Sequence, residues 1–275
     1  MIVAHAGTAL LELTAVLVLA AVVLRPAVLA RPGQLARPGQ LARPGQLARR
    51  LTLAGGGAVL LVLAALPPLA HAAETATLPH MVQHLLVVAG GAPLLGLLLA
   101  EAAPPRRSGG RERRAGSWLH RPFAGVIAHG RSPVLLAVLH ASTVWWWHAP
   151  PLYRAAGSST PLHLLQHASF TGTAVAAWAS IAWHARRRRA LVTVAGVACI
   201  GITGAVLGAL LTFAPGSLTP GATTLDQQLA GVLMWAWGGL VSVGAAATVT
   251  LVALGRADRS SWWRSAPGVP APVEP

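Results

Sequence analysis

Charge is scarce in this chain, and lysine is missing altogether. Only 10% of the 275 residues are charged, whereas 54% are hydrophobic. A soluble domain usually carries about 25% charged residues. This shortage excludes an ordinary soluble protein and indicates a chain that lies largely in a membrane.

Sulfur is also rare. The chain has one cysteine, Cys199, which lies in an apolar run, and three methionines. A single cysteine excludes a disulfide framework and a cysteine-rich metal site. Few soft sulfur ligands therefore remain, whereas the chain has eleven histidines.

Apolar segments long enough to cross the roughly 30 Å hydrocarbon layer as helices recur along the chain. We predict an all-α, polytopic membrane protein: a bundle of seven transmembrane helices within residues 1–255. The first segment is predicted to be a span and not a cleavable signal, because no positive charge precedes it and its apolar run is long. The predicted spans are residues 8–24, 51–70, 78–100, 132–148, 161–183, 190–213 and 228–254.

The arginines predict the orientation. All 21 except Arg154 fall in connections, or in the tail, on one side of the seven spans. By the positive-inside rule that side is cytoplasmic, so we predict an outer N-terminus and a cytoplasmic C-terminus. Topology alone accounts for the net charge of +14. We therefore predict the lipid bilayer, and no nucleic acid, as a partner.

A perfect hexamer repeat, RPGQLA, occupies most of the first predicted connection, residues 25–50. A proline at every sixth position forbids a continuous helix there. We interpret this low-complexity loop as a cytoplasmic spacer that adds arginines to the inner side. The tail, residues 256–275, is predicted to be disordered and cytoplasmic.

The histidines are concentrated toward the opposite side, in the outer half of the predicted bundle. Two i, i+4 pairs stand out, in HMVQH and HLLQH, and each pair projects from one helix face. Neutral imidazoles so placed can bind copper, zinc, iron or nickel. The eight histidines of the outer half are His5, His71, His80, His84, His140, His148, His163 and His167.

Each of these side chains could also have a purely structural role. A histidine at a membrane interface is often only a polar anchor, although the predicted depth of His140 favours a bundle interior or a wet cavity. Asp226 could cap the last span, or accept a hydrogen bond that orients a metal-bound imidazole. Met234 fits packing better, but it is a candidate Cu(I) ligand.

Four motifs, in order and in register, resemble the CtaG-type cytochrome c oxidase assembly factors. They are HMVQHLL followed by AP, WWWHAPPLY, LHLLQHASF and LDQQLAGVLMW, between residues 80 and 237. The resemblance implies a multi-pass protein of the bacterial plasma membrane that helps copper reach a haem–copper oxidase subunit. It maps the family's site onto His80, His84, His148, His163 and His167, with Asp226 in the last motif, whereas His140 matches less clearly.

Three functions are compatible with these features. The first is a copper-handling assembly factor that uses those histidines. The second is a membrane cytochrome with haem held by histidines of facing spans. The third is a copper or proton transporter with Glu12 and His140 as a relay, although the inner half lacks a matching chain of ligands. We predict that the protein is not an enzyme, because no nucleophile triad, phosphate-binding loop or pair of carboxylates is present.

Deleting two copies of the hexamer is expected to leave membrane insertion and copper handling intact, because the repeat lies away from every clustered histidine. The measurement is the amount of membrane-inserted protein and of assembled oxidase in cells that carry the shortened chain. Loss of oxidase assembly at normal expression would show that the repeat is more than a spacer.

Overall fold

The computed structural model describes residues 45–102, 126–127, 129, 131–219 and 222–265, and within these it is helical, with no strand. The helices are α1 Gln46–Ala64, α2 Pro67–Thr75, α3 Thr77–Leu85, a π-helical turn Leu86–Gly91, α4 Ala92–Ala102, α5 Ser132–His148, α6 Pro150–Ser158, α7 Thr160–Arg186, α8 Ala190–Phe213 and α9 Thr224–Ser265. The predicted all-α class is confirmed.

Among the described residues, four stretches are long and apolar enough to cross a membrane: Gln46–Ala64, Thr77–Glu101, Ala190–Phe213 and Thr224–Arg256. Helix α5 has only 17 residues, or about 26 Å at 1.5 Å per residue, and α7 is rich in polar side chains. The first predicted span and most of the hexamer repeat lie outside the described residues. Seven crossings and their orientation therefore stay predictions.

Proline sets most of the boundaries that differ from the predicted ones. The second predicted span, residues 51–70, ends early, because Pro67 begins the separate helix α2. Pro150 likewise begins α6, and proline is favoured in the first turn of a helix. Helix α9 continues to Ser265, beyond residue 256, the predicted start of the disordered tail.

The third predicted span contains a π-helical turn, Leu86–Gly91, just before Pro93 of the sequence GGAP. Pro93 has no N–H to donate, and its ring would clash with the carbonyl four residues earlier in an α-helix. The chain widens before it, and the Ala92 N–H donates to the carbonyl of Val87, five residues back. The helix therefore passes the proline without a break between α3 and α4.

Glycines allow the closest helix contacts. A Cβ at Gly96 of α4 would lie 2.6 Å from the Cβ of Trp178 in α7. Gly208 of α8 and Gly231 of α9 face each other in the same way, since a Cβ on either would meet the other's carbonyl oxygen within 3 Å. In the sequence GAVLG of α8, Gly204 to Gly208, it is Gly208 that permits the close helix contact. A Cβ at Gly204 would meet open space.

Charged side chains gather at one end of the bundle, which we call the arginine end. Glu101, whose side chain is only 5% exposed, pairs with Arg49, Arg50 and Arg186. These contacts join the start of α1 to the ends of α4 and α7. The opposite end, where α3, α7 and α9 begin, is called the histidine end. Among the described arginines, only Arg154 lies there.

Replacing Gly96 by alanine is expected to destabilise the protein by about 1–3 kcal/mol, because the new methyl group would overlap Trp178. The measurement is thermal unfolding in detergent, followed by the reaction of the single cysteine, Cys199, with a thiol probe. Gly172→Ala, at an exposed position of α7 with nothing within 4 Å of the Cβ, is the control and should stabilise by up to about 1 kcal/mol. Equal unfolding temperatures for the two variants would contradict this account of the packing.

Candidate metal centre

Helices α3 and α7 begin with matching sequences, TLPHMVQH and TPLHLLQH. In both, histidines occupy the fourth and eighth helical positions, so each pair lies on one face, about one turn apart along the axis. The two helices start side by side at the histidine end. The two histidine pairs therefore lie at the same level along the bundle axis. This alignment depends on the register of α3 against α7, which the two motifs by themselves do not indicate.

Four imidazole rings meet between these helices. Within α3 the ring centroids of His80 and His84 are 4.3 Å apart, and within α7 those of His163 and His167 are 4.5 Å apart. Between the helices, His80 stacks on His163 at 5.9 Å and His84 approaches His167 at 4.7 Å. We call these four residues the histidine group.

Two aromatic rings border the histidine group. Tyr153 of α6 lies with its ring centroid 5.7 Å from that of His80. Burial raises the pKa of the Tyr153 phenol; a hydrogen bond with Thr77 opposes the rise, and the Asp226 carboxylate adds to it. The phenol is therefore neutral at pH 7. On the deeper side, the edge of Phe170 meets His84 at 4.9 Å.

Phe170 contacts both His84 of the histidine group and His148, whose ring centroid lies 6.3 Å from that of Phe170. The Nδ1–H of His148 donates to the carbonyl of Val144 at 2.7 Å, which leaves Nε2 as the lone-pair nitrogen of a neutral ring. That Nε2 atom is buried and has no hydrogen-bond partner among the described residues. Its tautomer is the one that a metal ligand requires.

His140 is deeper in the bundle and only 3% exposed. Its Nδ1 lies 3.0 Å from the hydroxyl of Thr173. That hydroxyl donates its own proton to the carbonyl of Ser169 at 2.7 Å, so His140 must be the donor to it. Nε2 of His140 therefore carries a lone pair, as in His148.

Asp226 caps a helix other than its own. Its two carboxylate oxygens accept the backbone N–H groups of Thr77 at 2.6 Å and Leu78 at 3.1 Å, at the start of α3. The start of α9 is capped instead by Thr223, whose hydroxyl accepts the Asp226 N–H at 3.2 Å. Of the two roles considered for Asp226, capping of the last span is therefore not the one that its side chain has in the structure. Its carboxylate also offsets the positive end of the α3 dipole, which would otherwise disfavour a cation near His80.

The next residue, Gln227, completes this junction and is fully buried. Its side-chain oxygen accepts the N–H of Thr219 at 3.0 Å, while its amide donates to the carbonyl of Leu211 at 3.0 Å. Gln227 thus binds the end of α8 to the start of α9. This role was not predicted from the sequence, where the signal was the polar run Asp226, Gln227 and Gln228 at the start of an apolar helix.

As placed, no set of three or more His, Cys, Asp or Glu residues in the described part of the chain surrounds a point that could hold a metal ion. The reason is ring orientation: Nε2 of His80 and Nε2 of His84 are hydrogen-bonded to each other at 2.8 Å. Two nitrogens on one tetrahedral metal lie about 3.3 Å apart, with both lone pairs directed at it. The donor set would suit a nitrogen-preferring metal only after the rings rotate so that their lone pairs converge.

A model of the family described as cytochrome c oxidase caa3 assembly factor (Caa3_CtaG) matches residues 33–255. The chain belongs to this family. No curated protein and no solved structure matches it. The match extends beyond the four motifs to the second predicted span and part of the hexamer repeat.

Membership of the caa3 assembly factor family confirms the resemblance drawn from the motifs. Of the residues predicted for the site, the structure brings together the four of the histidine group, and it places Asp226 at the start of α3. His140 and His148 line a neighbouring cavity, which His84 also borders. Metal binding by any of them stays a prediction.

Asp226→Ala is expected to loosen the first turn of α3, because the Thr77 and Leu78 amides lose their acceptor, at a cost of about 1 kcal/mol. Hydrogen–deuterium exchange should speed up in peptides that cover residues 76–84. Thr223→Ala is the matched control and should speed exchange only at the start of α9. Unchanged exchange at residues 76–84 in Asp226→Ala would disprove the cross-helix cap.

Proposed function

We propose that this family member assembles a haem–copper oxidase by receiving copper at the histidine group and passing it to an oxidase subunit. The copper ion is cargo in this scheme, and the setting is the plasma membrane of a bacterium. The observation that carries the proposal is the contact of four imidazole rings from α3 and α7. The oxidase partner is inferred from the family.

Ligand chemistry supports copper as the cargo. Neutral imidazoles bind divalent copper more tightly than zinc, nickel or iron, because affinity for a nitrogen site peaks at copper in the divalent series. The histidine group contains no sulfur ligand, so it holds Cu(I) less tightly than a thiolate site would. Moderate affinity suits a site that must release its metal to a partner.

Electrostatics support a cation at this position. Two helix N-termini, each with a positive dipole end, lie beside the four rings and disfavour positive charge. The Asp226 carboxylate, bound to the first turn of α3, supplies the compensating negative charge. With the arginines predicted to lie on the cytoplasmic side, the histidine group faces the extracytoplasmic side, where incoming copper arrives.

His80→Ala/His163→Ala is expected to lose copper, because it removes one ligand from each helix. Losing a group that merely orients a ligand costs roughly 10- to 100-fold in metal affinity, so the loss of two ligands should cost more. The measurements are copper content of the purified protein after Cu(II) loading, and oxidase activity in a deletion strain that expresses each variant. His71→Ala and His129→Ala, at exposed positions, are the matched controls and should retain both.

Two results would contradict the proposal. Copper content equal in the double variant and the parent protein would remove the histidine group as the site. A reducible Soret band in the visible spectrum of the purified protein would assign the histidines to haem and not to copper.

A further inference from the structure

A cavity of about 90 Å³ lies directly beside the histidine group, between α3, α5, α7, α8 and α9. Most of its wall is apolar. Gly204 and Gly238 form part of that wall, and at neither position would a Cβ meet any atom within 4 Å. We call this space the bundle cavity. Its volume exceeds the roughly 10–15 Å³ that one water molecule needs by the same kind of measure.

Methionine side chains from two helices line the bundle cavity. Of the three methionines in the chain, one is Met1, and the other two, Met81 and Met234, both line this cavity. They come from α3 and α9 and are 2% and 9% exposed. Alanine, leucine and valine fill most of the apolar positions of this chain, so the presence of both internal thioethers in the wall of one cavity is distinctive.

Imidazoles complete the polar part of the same wall. His84 lines the cavity while its ring also contacts His80 and His167 of the histidine group. His140 and His148 line it too, and the hydrogen bonds of both leave Nε2 with a lone pair. The wall thus combines two thioethers with three imidazoles, and His84 links it to the histidine group.

We propose that the bundle cavity is a second metal site, one that binds Cu(I) through the thioethers of Met81 and Met234 together with cavity imidazoles. This inference rests on the proposed copper-handling function and adds a site of different ligand chemistry. Soft thioether sulfur selects Cu(I), whereas the nitrogen-only histidine group favours Cu(II). Copper that arrives as Cu(I) would move from the histidine group past His84 into this site with no change of oxidation state.

The apolar wall also favours the monovalent ion. Moving an ion from water into an apolar interior costs free energy that rises steeply with its charge. Cu(I) carries half the charge of Cu(II), and its thioether ligands are themselves apolar groups that need no solvation. The two sites therefore suit different ions. The histidine group, where the Asp226 carboxylate supplies negative charge, suits Cu(II), and the bundle cavity suits Cu(I).

The test uses the full-length protein, loaded anaerobically with Cu(I), and copper K-edge X-ray absorption. The parent protein should show sulfur in the first coordination shell. Met81→Leu/Met234→Leu should lose the sulfur signal and bind Cu(I) at least ten times more weakly. Leucine is close in size to methionine, so this variant should fold. Its retained Cu(II) binding at the histidine group would verify the fold.

Gly238→Leu provides a second, independent variant, because it fills the cavity and removes no ligand. It should weaken Cu(I) binding and leave Cu(II) binding unchanged. A first shell of nitrogen alone in the Cu(I)-loaded parent protein would overturn the cavity site and leave the proposed function intact. A sulfur shell without Cu(II) binding at the histidine group would support the cavity site and refute the proposed role of that group. Failure to bind copper in either state would refute both.

Discussion

The capping of α3 by the Asp226 carboxylate is the contact on which the candidate site depends. Thr77 and Leu78 give their N–H groups to a residue of the last helix, so the height of His80 and His84 is set from across the bundle. Without that height the rings of α3 would not face those of α7. The same carboxylate places a negative charge where two helix dipoles would otherwise repel a cation.

The two ends of the bundle handle charge differently. At the arginine end, Glu101 is surrounded by Arg49, Arg50 and Arg186, which joins three helix ends by ion pairs. At the histidine end, neutral rings, helix caps and hydrogen bonds hold the helices together. Asp226 is the charged group in the contact between α3 and α9. If the histidine end binds a cation as proposed, that binding need not break ion pairs such as those of Glu101.

Local patterns were sufficient to predict much of this structure. The apolar runs predicted the helices, with the bounds of α5 and α8 correct to the residue, and the i, i+4 spacing predicted that each histidine pair shares a face. The contacts between the pairs, and the placement of His148 beyond Phe170, could not be predicted in this way. They depend on how far each helix slides along its neighbour. The role of Asp226 could not be predicted for the same reason. A local sequence pattern can suggest that a carboxylate caps its own helix, but not that it caps a helix that begins 149 residues earlier.

The central claim is that imidazoles from two helices bind one metal ion. Pulsed electron paramagnetic resonance on the Cu(II)-loaded protein tests it most directly, because the remote ring nitrogens of bound imidazoles can be counted. The account predicts that imidazoles of both α3 and α7 contribute, and that His163→Ala/His167→Ala loses those of α7 alone. An imidazole count that is the same in the parent protein and in this variant would contradict it.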